Sequence, residues 1–152
     1  MKCVAFDCDG VLTTSTSSWK ALHSYFGTVS NDLYEAYLRG DLTDQQFIRS
    51  DIVRWKSNRG KIHRDEVVRA YSGVKLMPGI RSLIDRLREN NIHVVIVSAG
   101  VDVYVSMVAA MLSVDDWIAN GIIFDDDGWM TDDGIVRVGA NDKSTAIDKL
   151  VE

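Results

Sequence analysis

The chain has 152 residues, 46% hydrophobic and 26% charged, enough apolar material for a buried core and too much for wholesale disorder. Its formal net charge of −5, from 22 acidic against 17 basic residues, argues against a nucleic-acid partner, whose phosphates need clustered Lys and Arg. No run of about 18 apolar residues exists to span a bilayer, no leader is legible after Met1-Lys2, and two cysteines make no disulfide framework. The composition therefore reads as a cytoplasmic protein with no membrane partner. Cys3 and Cys8 stand five apart in and just after an extended segment, so their side chains point oppositely and both are expected reduced.

Lys2 to Phe6 is a short apolar run ending at Asp7, and it predicts a buried strand. From Ser17 to Ser72 the period is helical throughout. Trp19, Leu22 and Phe26 share one face before Gly27, and Leu33, Tyr34, Tyr37 and Leu38 form a second stripe before Gly40. Thr43 with Gln46 matches a capping box, followed by Phe47, Ile48, Ile52 and Trp55, and Val67, Val68 and Tyr71 mark a fourth, shorter helix. Pro78 opens a helix carrying Ile80, Leu83, Ile84 and Leu87, stopped by Asn90-Asn91.

Ile92 to Val97 is nearly continuous and β-branched, the pattern of a strand covered on both faces, and it ends at Ser98-Ala99-Gly100. A helix is expected from Asp102 to Leu112, strands at Ile122 to Phe124 and Ile135 to Val138, and a turn at Asp125 to Gly128. A last helix from Lys143 to Val151 follows, capped by Asn141-Asp142. This rhythm predicts an α/β fold: a Rossmann-like open parallel sheet with an inserted helical cap. Its core would be residues 1–14 and 74–152, and its cap residues 15–73.

In open α/β sheets ligands sit beyond the carboxyl ends of the strands. Asp7 and Asp9 follow the first strand, Ser98 follows the Ile92 to Val97 strand, and Lys143 begins the last helix. A carboxylate pair, a hydroxyl and an ammonium converging on one crevice suit a phosphoryl group. One carboxylate can attack phosphorus, and the other can protonate the leaving oxygen and then deprotonate water. Two close carboxylates facing a dianion favour a hard cation such as Mg²⁺. Lys149 is the alternative to Lys143 for the ammonium.

Phe6-Asp7-Cys8-Asp9-Gly10-Val11-Leu12-Thr13 resembles motif I of the haloacid dehalogenase superfamily of phosphatases. Val97-Ser98-Ala99-Gly100 is similar to its motif II, in the form found in phosphoserine-phosphatase-like members, and Lys143 falls where motif III supplies a lysine. The resemblance implies Asp7 as nucleophile and Asp9 as acid/base, both contributing oxygens to Mg²⁺. It further implies Ser98, Ala99, Gly100, Gly10 and Lys143 around the phosphoryl group of a small phosphorylated metabolite.

Two departures from the family pattern shape the expectations. No motif IV carboxylate follows the helix bearing Lys143, and the strand that would carry it lies beside the first strand in that fold. The reading is thus a truncated product, or a chain whose open sheet edge is covered by a homodimer mate or another partner chain; failing both, weak metal binding is expected. The pocket positions that would read serine carry Thr16 and Asp51, with Arg49 and Arg54 nearby, which argues against serine phosphate.

The alternative to an enzyme is a non-catalytic phospho-binding or interaction module of the same fold. A receiver-like signalling domain ranks below both, because such domains lack the long helical insertion. Asp125, Asp126, Asp127, Asp132 and Asp133 read as turn residues rather than a second cation site. His23, His63 and His93 show no metal-ligand spacing. Cys8, between two carboxylates, is expected to face inward and to be unreactive.

Overall fold

The computed structural model describes residues 1–139 and 142–151. In chain order its elements are β1 (Cys3–Phe6), α1 (Ser18–Phe26), α2 (Asn31–Leu38), α3 (Asp44–Arg59), α4 (Arg64–Ala70) and α5 (Ile80–Glu89). There follow β2 (His93–Val101), α6 (Asp102–Leu112), β3 (Asp116–Phe124), β4 (Met130–Ile135) and α7 (Lys143–Val151). The strands lie side by side in the order β1-β2-β3-β4. β1, β2 and β3 are parallel, and β4 returns antiparallel to β3.

β2 is the strand buried on both faces, and its alternation sets the layers. Val94 and Ile96 join the larger apolar cluster, which runs on to Ile84 of α5, Val105 and Leu112 of α6, and the inserted helices. Val95 and Val97 point the other way, against Val138 and Ala146. The insertion is held by Leu22, Phe26, Ile52 and Trp55, each essentially inaccessible. Each such side chain contributes about 1.5–3 kcal/mol by leaving water. Local signals agree with these helices: Gly27 is the left-handed cap of α1, and Thr43 and Gln46 close a reciprocal capping box on α3.

Four expectations are corrected. β1 is not buried: Cys3 and Ala5 are exposed, and Val4 and Phe6 only half-buried, because among the described residues β1 has a single neighbour, β2. β2 does not stop at Val97 but runs to Val101, with a register shift against β3 between Ser98 and Val101. β3 is nine residues long rather than three, its polar Asp116 and Asn120 having masked it. The last strand is Met130–Ile135, not Ile135 to Val138. It is a hairpin return, so the sheet is mostly rather than wholly parallel. The expected Asn141 cap lies outside the described residues, while Asp142 Oδ1 accepts a hydrogen bond from Thr145 Oγ1 at 2.7 Å.

The acidic hairpin has structural tasks. Asp125 Oδ1 accepts from the backbone N–H of Asp127 and Trp129, closing the turn. Asp132 and Asp133 pair with Lys56 and Arg49 of α3 at 2.7 and 2.8 Å, and Gln45 donates to the Gly134 carbonyl. These contacts, with Ile48 packed close to Gly134, fasten α3 to β4.

Candidate active site

β1 ends at Phe6, and the chain turns at once into a loop that recrosses its own path. The Val11 and Leu12 N–H groups donate to the Cys8 carbonyl, and the Gly10 N–H donates to the Ser15 carbonyl at 2.8 Å. Gly10 takes φ +74°, the left-handed region that a side chain disfavours. The loop is tied to the following segment by Met77 N–H to Leu12 O and Thr14 N–H to Lys75 O. Asp7 is thereby fixed at the carboxyl end of β1, where its Oδ1 accepts the Cys8 N–H at 2.8 Å.

Lys143 arrives from the far end of the chain. Its Nζ lies 2.9 Å from Asp7 Oδ2, both side chains about four-tenths exposed. Lys149, the alternative considered from sequence, is exposed on α7. The loop before α7 is guided by Asn120, buried in β3, whose Oδ1 accepts the N–H groups of Arg137 and Val138.

Asp9 is the more buried carboxylate. Its Oδ2 accepts two hydrogen bonds from Ser18, the backbone N–H at 2.8 Å and the hydroxyl at 2.9 Å. The first is a free backbone donor of the first turn of α1, so the helix start favours the anion. Burial acts against it, aided by the negative charge of Asp7, and the net effect is a pKa raised above the usual carboxylate range. Asp9 Oδ1 is buried with no hydrogen-bond partner. Protonation relieves that oxygen, because the neutral acid pays far less for burial than the anion. Asp9 is thus more readily protonated than an exposed carboxylate.

Ser98, 1% exposed, accepts the Gly100 N–H on its hydroxyl at 2.9 Å. The Ala99 carbonyl accepts from the Trp19 indole at 2.9 Å. Gly100 carries the closest link between the two sequence motifs. A Cβ on it would stand 2.8 Å from Ser18 Oγ and 2.9 Å from both carboxylate oxygens of Asp9. Sequence reading named Asp7, Asp9, Gly10, Ser98, Ala99, Gly100 and Lys143 as candidates and did not name Ser18, whose hydroxyl donates to Asp9 and accepts from Val101 N–H. The available signal was Ser17-Ser18 at a helix start, a pattern that many caps share.

Cys8 is fully buried, and its thiol is raised well above its usual range by burial, then by Asp9 and Asp7. Beside this carboxylate site a cavity of about 380 Å³ opens between the sheet and the inserted helices. Thr16 and Asp51, the two positions singled out for substrate selection, both line it, together with Ala99 and Asn120. Arg49 and Arg54 do not: they face outward, paired with Asp133 and Asp32.

A family model described as haloacid dehalogenase-like hydrolase matches residues 4–151. A solved phosphoserine phosphatase, a phospho-aspartyl intermediate analogue, is similar with TM-score 0.77 and 22% identity over 99% of this chain and 70% of that one. A family hydrolase from Salmonella enterica serovar Typhi gives TM-score 0.81 and 16% identity, over 99% of this chain and 51% of that one. Phosphoserine phosphatase from T. onnurineus gives TM-score 0.68 and 24% identity, over 99% and 70%. Comparison with curated proteins gives no match. At these identities the likeness to solved structures is one of fold.

Proposed function

The chain belongs to the haloacid dehalogenase-like hydrolases, and on that premise we propose that it hydrolyses a small phosphomonoester through an aspartyl-phosphate on Asp7. The observation that carries the reading is the pairing of Lys143 with Asp7 at 2.9 Å at the carboxyl end of β1. It sets a nucleophilic carboxylate beside a fixed cation able to hold a phosphoryl oxygen.

In the first step an Asp7 carboxylate oxygen bonds to phosphorus while the ester P–O bond breaks. The departing oxygen takes the proton held on Asp9. In the second step water attacks phosphorus, Asp9 recovers a proton from it, and the Asp7–phosphorus link breaks to release inorganic phosphate. Lys143 and the backbone around Ser98, Ala99 and Gly100 hold the equatorial oxygens. The Gly10 turn lets the backbone approach closely.

The donor chemistry suits Mg²⁺. Asp7 and the main-chain carbonyl of Asp9 offer hard oxygens, and this ion binds through one or two carboxylates, completing its shell with water and phosphate oxygens. Bound there, it would supply neutralisation of the phosphate charge. Among the described residues no cluster of three or more His, Cys, Asp or Glu side chains forms a richer site.

In the same reading residues 15–73 act as a cap over a core of 1–14 and 74–152, and the bare edge of β1 is where a further strand, from this or another chain, would pair. No helix among the described residues is long and apolar enough to cross a membrane. A cytoplasmic location belongs to the same proposal.

The test is phosphate release from a panel of small phosphomonoesters, with and without Mg²⁺, by the wild type and Asp7→Asn. Release that needs Mg²⁺ and disappears in Asp7→Asn is expected. Release that survives Asp7→Asn would overturn the nucleophile, and no release by the folded wild type would overturn the enzymatic reading.

A further inference from the structure

The cavity beside the carboxylate site is lined by four aromatic rings and one buried carboxylate. Trp19 comes from α1, Tyr34 and Tyr37 from α2, and Phe47 from α3. Phe47 lies 4.7 Å from Tyr37 and 6.4 Å from Tyr34 between ring centroids, so the three rings form one wall. Asp51 is 3% exposed and lines the same space.

Asp51 is buried with His23 as its hydrogen-bond partner. Its Oδ1 is 2.9 Å from His23 Nε2, and His23 Nδ1 is 2.7 Å from Thr28 Oγ1. The guanidinium of Arg54 acts only through space, since it is bidentate on Asp32 at 2.7 and 3.0 Å. No hydrogen bond engages Asp51 Oδ2 among the described residues. Burial accordingly raises the Asp51 pKa, the histidine contact only partly offsetting it. A carboxylate in this position is relieved by a cation.

Aromatic faces attract the same kind of ligand. Their quadrupoles favour an ammonium, and quaternary ammonium groups are bound by aromatic cages. The wall shows the affinity within the chain: Lys20 Nζ sits over the Tyr34 ring, 5.5 Å from its centroid. Lys20 is exposed, so its long side chain leaves that face at little cost when another cation arrives. At the sheet end the cavity reaches Ala99, in the segment that borders the carboxylate site.

We propose that this cavity selects a phosphomonoester of a compact alkylammonium alcohol, its cation held by Asp51 and the Tyr34–Tyr37–Phe47 wall and its phosphoryl group directed toward Ala99 and Asp7. The proposal rests on the phosphatase reading above. No arginine lines the cavity to grip a substrate carboxylate with two parallel bonds, and the lysine that lines it, Lys20, lies over the Tyr34 ring. A volume of about 380 Å³ lies at the lower end of the range for small-molecule pockets.

The experiment compares phosphocholine with its uncharged isostere, 3,3-dimethylbutyl phosphate, and with phosphoserine. Values of kcat/KM are measured for the wild type, Asp51→Asn and Tyr34→Leu. The expected result is a preference of about tenfold for phosphocholine over the isostere, falling toward one in Asp51→Asn and partway in Tyr34→Leu. Calorimetric binding of phosphocholine and the isostere to the same proteins gives a readout independent of turnover and should show the same ratios.

Equal use of charged and neutral esters overturns cation selection and leaves the phosphatase reading intact. Selective binding without hydrolysis overturns the phosphatase reading and leaves the cation site. Phosphoserine preferred over both overturns the proposal in favour of a carboxylate-binding pocket. Should Asp51→Asn not fold, as judged by circular dichroism, Tyr34→Leu decides, because Tyr34 is exposed and its replacement spares the core.

Discussion

Ser18 holds Asp9 by two hydrogen bonds to a single oxygen, with its backbone nitrogen at 2.8 Å and its hydroxyl at 2.9 Å from Oδ2. Both bonds favour the ionised carboxylate, whereas burial and Asp7 favour the proton and prevail. Ser18→Ala removes one of the two opposing bonds, so the Asp9 pKa should rise further. An acid that keeps its proton longer moves the alkaline limb of the kcat profile to higher pH. The variant should also lose about 1–3 kcal/mol of stability, because the Val101 N–H loses its acceptor. A pH–rate profile with an unmoved alkaline limb would contradict the assignment of Asp9 as acid.

Asp9→Asn separates activity from stability. The folded chain binds the Asp9 proton more tightly than the unfolded chain does, since the folded pKa is the higher one. Wild-type stability is therefore lost as pH rises from the ordinary carboxylate value through the raised one. Asparagine mimics the protonated form and escapes that loss. Denaturant melts should find Asp9→Asn more stable than the wild type at neutral pH, with the gap closing below about pH 4. Hydrolysis of alkyl phosphates should fall by about 10²–10⁴. A p-nitrophenyl ester, whose leaving group needs no proton, should lose much less in the first step.

Gly100→Ala tests the junction between the two motifs. Its new methyl group would meet Ser18 Oγ and both Asp9 oxygens at 2.8–2.9 Å, closer than real Cβ contacts come. All three atoms belong to a bonded pair, so none moves freely. Overpacking should cost about 1–3 kcal/mol in urea melts, and turnover should fall with Asp9 displaced. Full activity in this variant would show that the Asp9 position is not critical.

Lys143→Met should leave stability nearly unchanged and abolish most turnover. The Lys143–Asp7 pair is about four-tenths exposed on both sides, and exposed pairs contribute at most about 1 kcal/mol. A thermal melt paired with kinetics separates the two effects. A large drop in melting temperature with kinetics intact would make Lys143 a structural residue.

The two cysteines should differ in reactivity. Cys3 is exposed on the open edge of the sheet, and Cys8 is buried with its thiol held protonated. A thiol reagent should modify one cysteine in the native protein and both in denaturant. Rapid modification of Cys8 in the native state would mean that the loop after β1 opens.

Much of the site was legible because local chemistry marks it. An apolar strand followed by Asp7-Cys8-Asp9-Gly10 and a β-branched strand followed by Ser98-Ala99-Gly100 carry their own punctuation, and the structure brings Asp9 and Gly100 into contact. The strands read less well. β3 interrupts its apolar run with Asn120, a residue spent on fixing the 137–138 segment, and β4 carries Thr131, bonded to the Ile123 carbonyl of β3, and Asp132 and Asp133, paired with α3. Strand periodicity fails where polar residues are engaged by partners distant in sequence.

Short-range chemistry made the inserted helices, their caps and stripes, and the residues at the strand ends legible, since each is set by neighbours within a turn or two. Which side chains meet was settled by packing between distant elements. That packing set Lys143 rather than Lys149 on Asp7, made Ser18 the anchor of Asp9, left β1 on an edge, and put Asp51 on the wall of a cavity that aromatic rings also line. Those outcomes depend on long-range packing and on the burial of charge, and neither is encoded in local spacing.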